Sequence, residues 1–223
     1  MQNCQNSTIA IIDSGIGGLS ILKQLINKYH CGNYIYYADN LYIPYGNKSK
    51  KWLENRIKYI IEKLRQEYNV RDIIIACNTA STCLKTTDLN VKTMQFEKNK
   101  TYFATELTQK NLPKLNIIAD ETLAKQIENN ILNQNKMKAI IKKHIIEHKL
   151  IELKEFVLGC THYELVDSYF RLLCKNSNVL KNSEFILKNL NYNFKSEELN
   201  IVILMSKKSK RYEDKIKKVL EII

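Results

Sequence analysis

Two cysteines stand in matching surroundings. Ile-Ile-Ile-Ala precedes Cys77 and Asn-Thr follows it, while Phe-Val-Leu-Gly precedes Cys160 and Thr-His follows it. Each thiol closes an apolar run of strand length and precedes polar residues able to start a helix. Both therefore belong at the C-terminal ends of strands, where open α/β sheets hold their ligands. Two equivalent weak acid/base groups suit one kind of chemistry above others, the removal of a proton from one face of a carbon and its return from the other. Racemisation is what the pair points to, because a symmetric site disfavours neither enantiomer. In each direction one sulfur must be thiolate and the other thiol, and the two titrate as a coupled pair.

Asp13, Asp39, Asp120 and His162 fall at or just past the ends of apolar runs and are the groups able to relay or hold protons there. A thiol pKa drops beside a cation or a helix start and rises in apolar burial, so such neighbours tune the sulfurs. A lone cysteine is more often a small buried hydrophobe, and that is the reading for Cys4, Cys31, Cys83 and Cys174. His30, His144 and His148 are expected to be solvated, whereas His162, two residues past Cys160, is a site candidate. The segment DSGIGGL at 13–19 reads as a glycine loop between strand and helix, whose free backbone N–H groups favour an anion. It fits neither the dinucleotide nor the phosphate-loop pattern, which favours a small carboxylate over a nucleotide. Glycines serving only tight packing are the plain alternative.

The elements that must position these groups follow from periodicity. Residues 8–12 form a short apolar, β-branched run, and 34–38 and 72–76 read as further strands, each followed by a helical pattern or turn, with Ser49 placed to cap the helix after 49. Strands alternating with helices predict a parallel sheet. Further on, 101–105, 116–119 and 155–159 read as strands and 121–150 as one or two amphipathic helices. A helix is expected over about 163–174, a short helix capped by Ser183, a last strand at 200–205 and a terminal helix at 212–220. The two cysteine segments suggest two similar parallel-sheet α/β lobes facing each other across the active site. The expected division is 1–92 plus 193–223 for the first lobe and 93–192 for a second, reduced one.

At 223 residues no disulfide framework is needed, and six cysteines without paired or zinc-ligand spacing fit reduced thiols in a cytoplasmic protein. No stretch reads as a signal peptide or a membrane span. The net charge of +12 raises the question of nucleic acid, but acidic residues interrupt the lysine runs around 136–143 and 207–211. Solvated helix faces are the better reading, and neither a nucleic-acid nor a membrane partner is expected.

Four segments in order, DSGIGGL at 13–19, the Tyr36 to Gly46 stretch with Pro44-Tyr45-Gly46, ACNTAS at 76–81 and GCTHYE at 159–164, resemble the glutamate racemases. The sequence over 104–108, ATELT, is a weaker echo. The resemblance implies a cofactor-independent enzyme that interconverts L- and D-glutamate for peptidoglycan, with Cys77 and Cys160 as the acid/base pair and no metal. It implies substrate contacts from Asp13, Ser14, Pro44, Tyr45, Gly46, Asn78, Thr79, Thr161 and His162, and assisting acids at Asp39 and Asp120. It also implies a chain end that returns to the first lobe, and it is compatible with a homodimer. The chain departs from the pattern between 81 and 101, where a unit of the second lobe is missing and 91–96 is the remaining candidate strand, and at Glu164, where proline is usual. An aspartate racemase and a racemase-like protein that binds a small dicarboxylate without turnover are the alternatives.

Overall fold

The computed structural model describes residues 8–192, 194 and 198–223; Cys4 lies outside them. The chain runs β1 (Thr8–Asp13), α1 (Leu19–Tyr29), β2 (Gly32–Ala38), α2 (Lys50–Tyr68), β3 (Asp72–Ile75), α3 (Asn78–Cys83) and β4 (Val91–Thr93). It continues with β5 (Thr101–Thr105), α4 (Glu106–Asn111), β6 (Asn116–Asp120), α5 (Leu123–Asn130), α6 (Gln134–Glu147), β7 (Glu155–Leu158), α7 (Thr161–Glu164), α8 (Asp167–Leu173), β8 (Asn178–Lys181) and α9 (Ser183–Leu187), and closes with β9 (Leu199–Met205) and α10 (Lys210–Ile222). Two sheets result, ordered β4-β3-β1-β2-β9 and β6-β5-β7-β8. Every pairing in both is parallel.

Local sequence explains the first sheet well. The run TIAIID is buried from its second residue onward, as a central strand covered on both faces requires. Ser49 accepts a hydrogen bond from the Trp52 N–H at 3.2 Å, a cap of the kind that contributes about 1 kcal/mol. Behind it Leu53, Ile57, Ile60, Ile61 and Leu64 form the buried stripe of α2. The chain end returns, with β9 adding to β2 and α10 packing on α1.

Several expectations need correction. The strand at 91–96 is shorter and belongs to the first sheet, paired with β3. The helix over 163–174 is broken at Leu165-Val166 into α7 and α8. Asn182, not Ser183, occupies the cap position of α9, and the Ser183 N–H is taken by Glu164. Strand β8 is an addition to the expected set: Asn-Val-Leu-Lys is too short to show alternation, and its partner β7 is what makes it a strand.

Helix α1 joins the lobes. Its buried residues Leu19, Ile21, Leu22 and Leu25 enter a hydrophobic cluster that also holds Phe103, Leu123, Phe156 and Phe170 of the second lobe, and it packs on α7 and α9. Along this seam runs a buried polar strip. Glu164 accepts from the Ser183 N–H at 2.9 Å and the Ser20 hydroxyl at 3.4 Å, and Gln24 donates to Ser183 Oγ at 2.9 Å. Burial pushes the Glu164 carboxyl up to about 7 from an ordinary 4.5. A raised acid pKa means that stability is lost as pH rises from 4.5 through 7, by roughly 3 kcal/mol once ionised. Glu164→Gln keeps the acceptor for Ser183 without the charge. The variant is expected to match the parent in urea unfolding at pH 4.5 and to exceed it at pH 8.5; equal stability at pH 8.5 would contradict this account. No helix among the described residues is long and apolar enough to cross a membrane.

Candidate active site

The two lobes present equivalent strand-to-helix junctions to each other. Cys77 follows β3 and caps α3, and Cys160 follows β7 and caps α7. Both are nearly buried, 7% and 6% exposed, and both open onto one cavity of about 600 Å³. Ser14 reaches this cavity from the loop after β1, and Pro44, Tyr45 and Gly46 from the loop after β2. Asn78 and Thr79 line it beside Cys77, and Thr161 and His162 beside Cys160. Asp120 also lines it; Asp13 and Asp39 do not, and each is completely buried behind the wall.

The two sulfurs have unlike neighbours. Burial, and then the charge of Asp13, push the Cys77 thiol well up, against the pull of the Ala80 and Thr79 backbone N–H groups. Cys160 instead has His162 for its neighbour, and the pair favours the charged ring. Burial alone would lower the His162 pKa, but Cys160 and Glu128 hold it up to about 10, so the ring is an imidazolium at neutral pH. One sulfur thus has a carboxylate for its neighbour and the other a cation.

Glu128 is the residue that sequence reasoning missed. It lies on α5, 4% exposed, and its Oε2 meets His162 Nε2 at 2.7 Å and accepts from the Ile16 N–H at 3.1 Å. Its Oε1 accepts from the Tyr212 hydroxyl at 2.9 Å and from Lys215 at 2.6 Å, both on α10. Burial would raise this carboxyl, but His162 and Lys215 hold it down to about 2. The one signal the sequence carries is an acid on an apolar stripe, with Ala124 one turn before it and Ile131 one turn after.

The glycine loop does cradle an anion, but an internal one. The Gly15 N–H binds Asp13 Oδ1 at 2.9 Å and the Ile16 N–H binds Glu128. A Cβ on Gly15 would fall 2.4 Å from Glu128 Oε2. A Cβ on Gly17 would fall 2.4 Å from Thr161 Oγ1, 2.7 Å from His162 Nδ1 and 2.9 Å from the His162 backbone N. Gly17→Ala is therefore expected to push the second lobe off the first, at a cost of about 1–3 kcal/mol, and to raise KM for the ligand of the cavity. Unchanged unfolding and unchanged KM would contradict that close approach.

The remaining acids are engaged elsewhere. Asp13 Oδ2 accepts from the Thr161 hydroxyl at 3.1 Å, tying the glycine loop to α7, and burial raises its pKa. Asp39 is gripped by Arg56 through both oxygens, at 2.6 and 2.9 Å, and accepts from Tyr45 at 2.6 Å, so it holds Tyr45 against the cavity. Asp120 caps α5 through Oδ1, which accepts from the Thr122 and Leu123 N–H groups, and meets His144 and His148 through Oδ2. Those two histidines are not the solvated residues expected: His144 is 3% exposed and His148 partly buried.

The cavity walls carry donors. Asn78 Oδ1 accepts from Asn182 Nδ2 at 2.5 Å, while its own Nδ2 is buried with no partner among the described residues. Such a donor is satisfied by a ligand acceptor. The Thr79, Thr105 and Thr108 hydroxyls form a linked cluster at 2.9–3.4 Å that bridges α3 and α4, and Lys48, Lys110 and Lys125 stand at the lining. Glu106, Asp120 and Glu121 stand at the lining as well, with Lys110 paired to Glu106 at 3.2 Å, so it is Lys48 and Lys125 with the amide and hydroxyl donors that suit a small acid with two carboxylates.

No protein-family model matches the chain. It is 31% identical to a glutamate racemase of Buchnera aphidicola subsp. Schizaphis graminum over 242 aligned positions, covering 94% of this chain and 93% of that protein. It is 26% identical to one of Clostridium acetobutylicum over 254 positions, 98% and 99% of the two chains. That alignment is longer than the chain itself, so the relative carries inserted residues. Among solved structures, a glutamate racemase isoform of Bacillus anthracis superposes with a TM-score of 0.76 at 20% identity, over 96% and 94% of the chains. The Escherichia coli glutamate racemase in complex with L-glutamate and an activator gives 0.74 at 19%, over 98% and 95%. These last two likenesses bear on the fold.

Proposed function

The chain belongs to the glutamate racemase family, and from that premise we propose that it interconverts L- and D-glutamate without a cofactor, by proton transfer between Cα and two cysteines. The observation that carries this reading is the placement of Cys77 and Cys160, at like junctions of opposing lobes and lining one cavity. Cys160, beside His162, serves as the proton acceptor on one face in this reading. Cys77, pushed up by burial and Asp13, supplies the thiol. Glutamate lies between them, its carboxylates met by Asn78 Nδ2, the hydroxyls of Ser14, Thr79 and Thr161, and the cavity lysines. Cα loses its proton to one sulfur and gains another from the opposite one, after which the two protonation states are exchanged and the reverse reaction is ready.

Glu128, rather than Asp120, is the assisting carboxylate in this reading, because it holds His162. Asp13 positions Thr161, and Asp39 acts through Tyr45. The lobes that close on the substrate are residues 1–92 with 193–223, and residues 93–192. A cytoplasmic location and supply of D-glutamate for peptidoglycan belong to the same proposal. A coupled assay for D-amino acids, run with L-glutamate and with L-aspartate, tests it. D-Glutamate is the expected product. D-Aspartate as the main product would replace the substrate, and a rise in Tm with glutamate without any product would reduce the protein to a binding module.

A further inference from the structure

Asp120, His144 and His148 form a second constellation, in which the cavity is touched only by Asp120. His144 lies in the last turn of α6 and His148 at its C-cap; their rings stack at 12° with centroids 6.2 Å apart. Both converge on a single oxygen from the end of β6, His144 Nδ1 at 2.6 Å and His148 Nε2 at 2.7 Å from Asp120 Oδ2. All three donor atoms lie within 4.8 Å of one another. The other carboxylate oxygen is fixed by the Thr122 and Leu123 N–H groups, and Phe103 packs on the His148 ring at 5.1 Å. Such outer contacts are what orient metal ligands.

Burial makes this cluster costly as it stands. The side chains of His144 and Asp120 are 3% and 4% exposed, and no lysine or arginine among the described residues pairs with Asp120. Buried acids of this kind are paired, hydrogen-bonded or bound to a metal.

We propose that Asp120, His144 and His148 bind one divalent transition-metal ion of the zinc class. Two imidazole nitrogens and one carboxylate oxygen are the donor set that such ions take with three protein ligands and an open position, whereas magnesium and calcium take oxygens. Ligand atoms around a tetrahedral ion with bonds near 2.1 Å stand roughly 3.4 Å apart, so each nitrogen has to move about 0.7–0.8 Å from Oδ2, a side-chain adjustment. His148, 19% exposed, is the ligand that solvent reaches and marks the entry path. The ion would tie α6 to the end of β6 and the start of α5, the helix whose far end carries Glu128.

The test uses chelator-stripped full-length protein with cysteines 77 and 160 replaced by serine, so that the thiols of the main cavity cannot capture the metal. Cobalt(II) is titrated while visible absorption is read. One ion per chain with the intense bands of a tetrahedral N/O site is the expected result. His148→Gln should weaken binding by more than the roughly 10–100-fold that loss of an outer partner costs, and His144→Gln likewise. His148→Gln alters a partly exposed ring, so it remains informative if His144→Gln fails to fold. Absence of binding, or equal affinity in His148→Gln, would overturn the proposal and leave the cluster a hydrogen-bonded contact. Neither outcome touches the reading of the cysteines, since no activity is measured.

Discussion

Cys77→Ser and Cys160→Ser are each expected to abolish racemisation in both directions, with kcat reduced at least about 10³-fold, within the range that positioned acid/base groups contribute. A serine hydroxyl occupies nearly the same space as a thiol, so neither the junction after β3 nor that after β7 should collapse. It is far too weak an acid to sit as an anion beside His162, and too weak a proton donor opposite. In the proposed reaction one sulfur takes the Cα proton and the other returns one, so the expected loss is symmetric. The proposed ligand contacts, Asn78, the hydroxyls and the lysines, are untouched by either change, so a glutamate-dependent rise in Tm is expected to persist. Racemisation at the parental rate in either variant would defeat the two-thiol assignment.

The second large effect is expected at Glu128. Glu128→Gln leaves the His162 imidazolium and Lys215 facing a neutral amide inside the interface of the lobes. Breaking a buried pair in this way costs about 3–5 kcal/mol, and kcat should fall as well, because the cation beside Cys160 loses the carboxylate that maintains it. The pH dependence has a definite sign. Glu128 is held down to about 2 from an ordinary 4.5, so its stabilising contribution is complete above 4.5 and is lost as pH falls through 2. His162 is held up to about 10 from 6.5, so its contribution is complete below 6.5 and is lost as pH rises through 10. The pair stabilises most between pH 4.5 and 6.5. The difference in urea unfolding free energy between parent and Glu128→Gln should be largest in that window and shrink on both sides; a difference independent of pH would contradict the ion pair.

Much of this architecture is legible in the amino-acid sequence, for identifiable physical reasons. The runs that form β1 and β3 are β-branched and that of β2 is rich in tyrosine, all three end abruptly in polar or small residues, and the Ser49 cap is a local signal. The same locality makes Cys77 and Cys160 conspicuous. What stays hidden depends on contacts distant in sequence. Strand β8 exists because β7 lies beside it, and β4 joins the first sheet because β3 offers an edge. Glu128 sits in the last turn of α5, where an acid interrupting an apolar stripe is the only local hint, and its partners come from the glycine loop, α7 and α10. Asp120 draws attention because it ends a strand, yet its oxygens go to backbone caps and two histidines. The glycine loop announces an anion, but nothing local tells that the anion is the protein's own.

The division of labour between the two sulfurs is tested most directly by proton inventory in heavy water. L-Glutamate is incubated with the enzyme in D₂O and stopped at low conversion, and the two enantiomers are separated and weighed by mass spectrometry. With a thiolate on one face and a thiol on the other, the D-glutamate formed should carry deuterium at Cα while the recovered L-glutamate carries almost none, and the same should hold in mirror image from D-glutamate. Deuterium entering the recovered starting enantiomer as fast as the product would mean one base serving both faces, and would contradict the account.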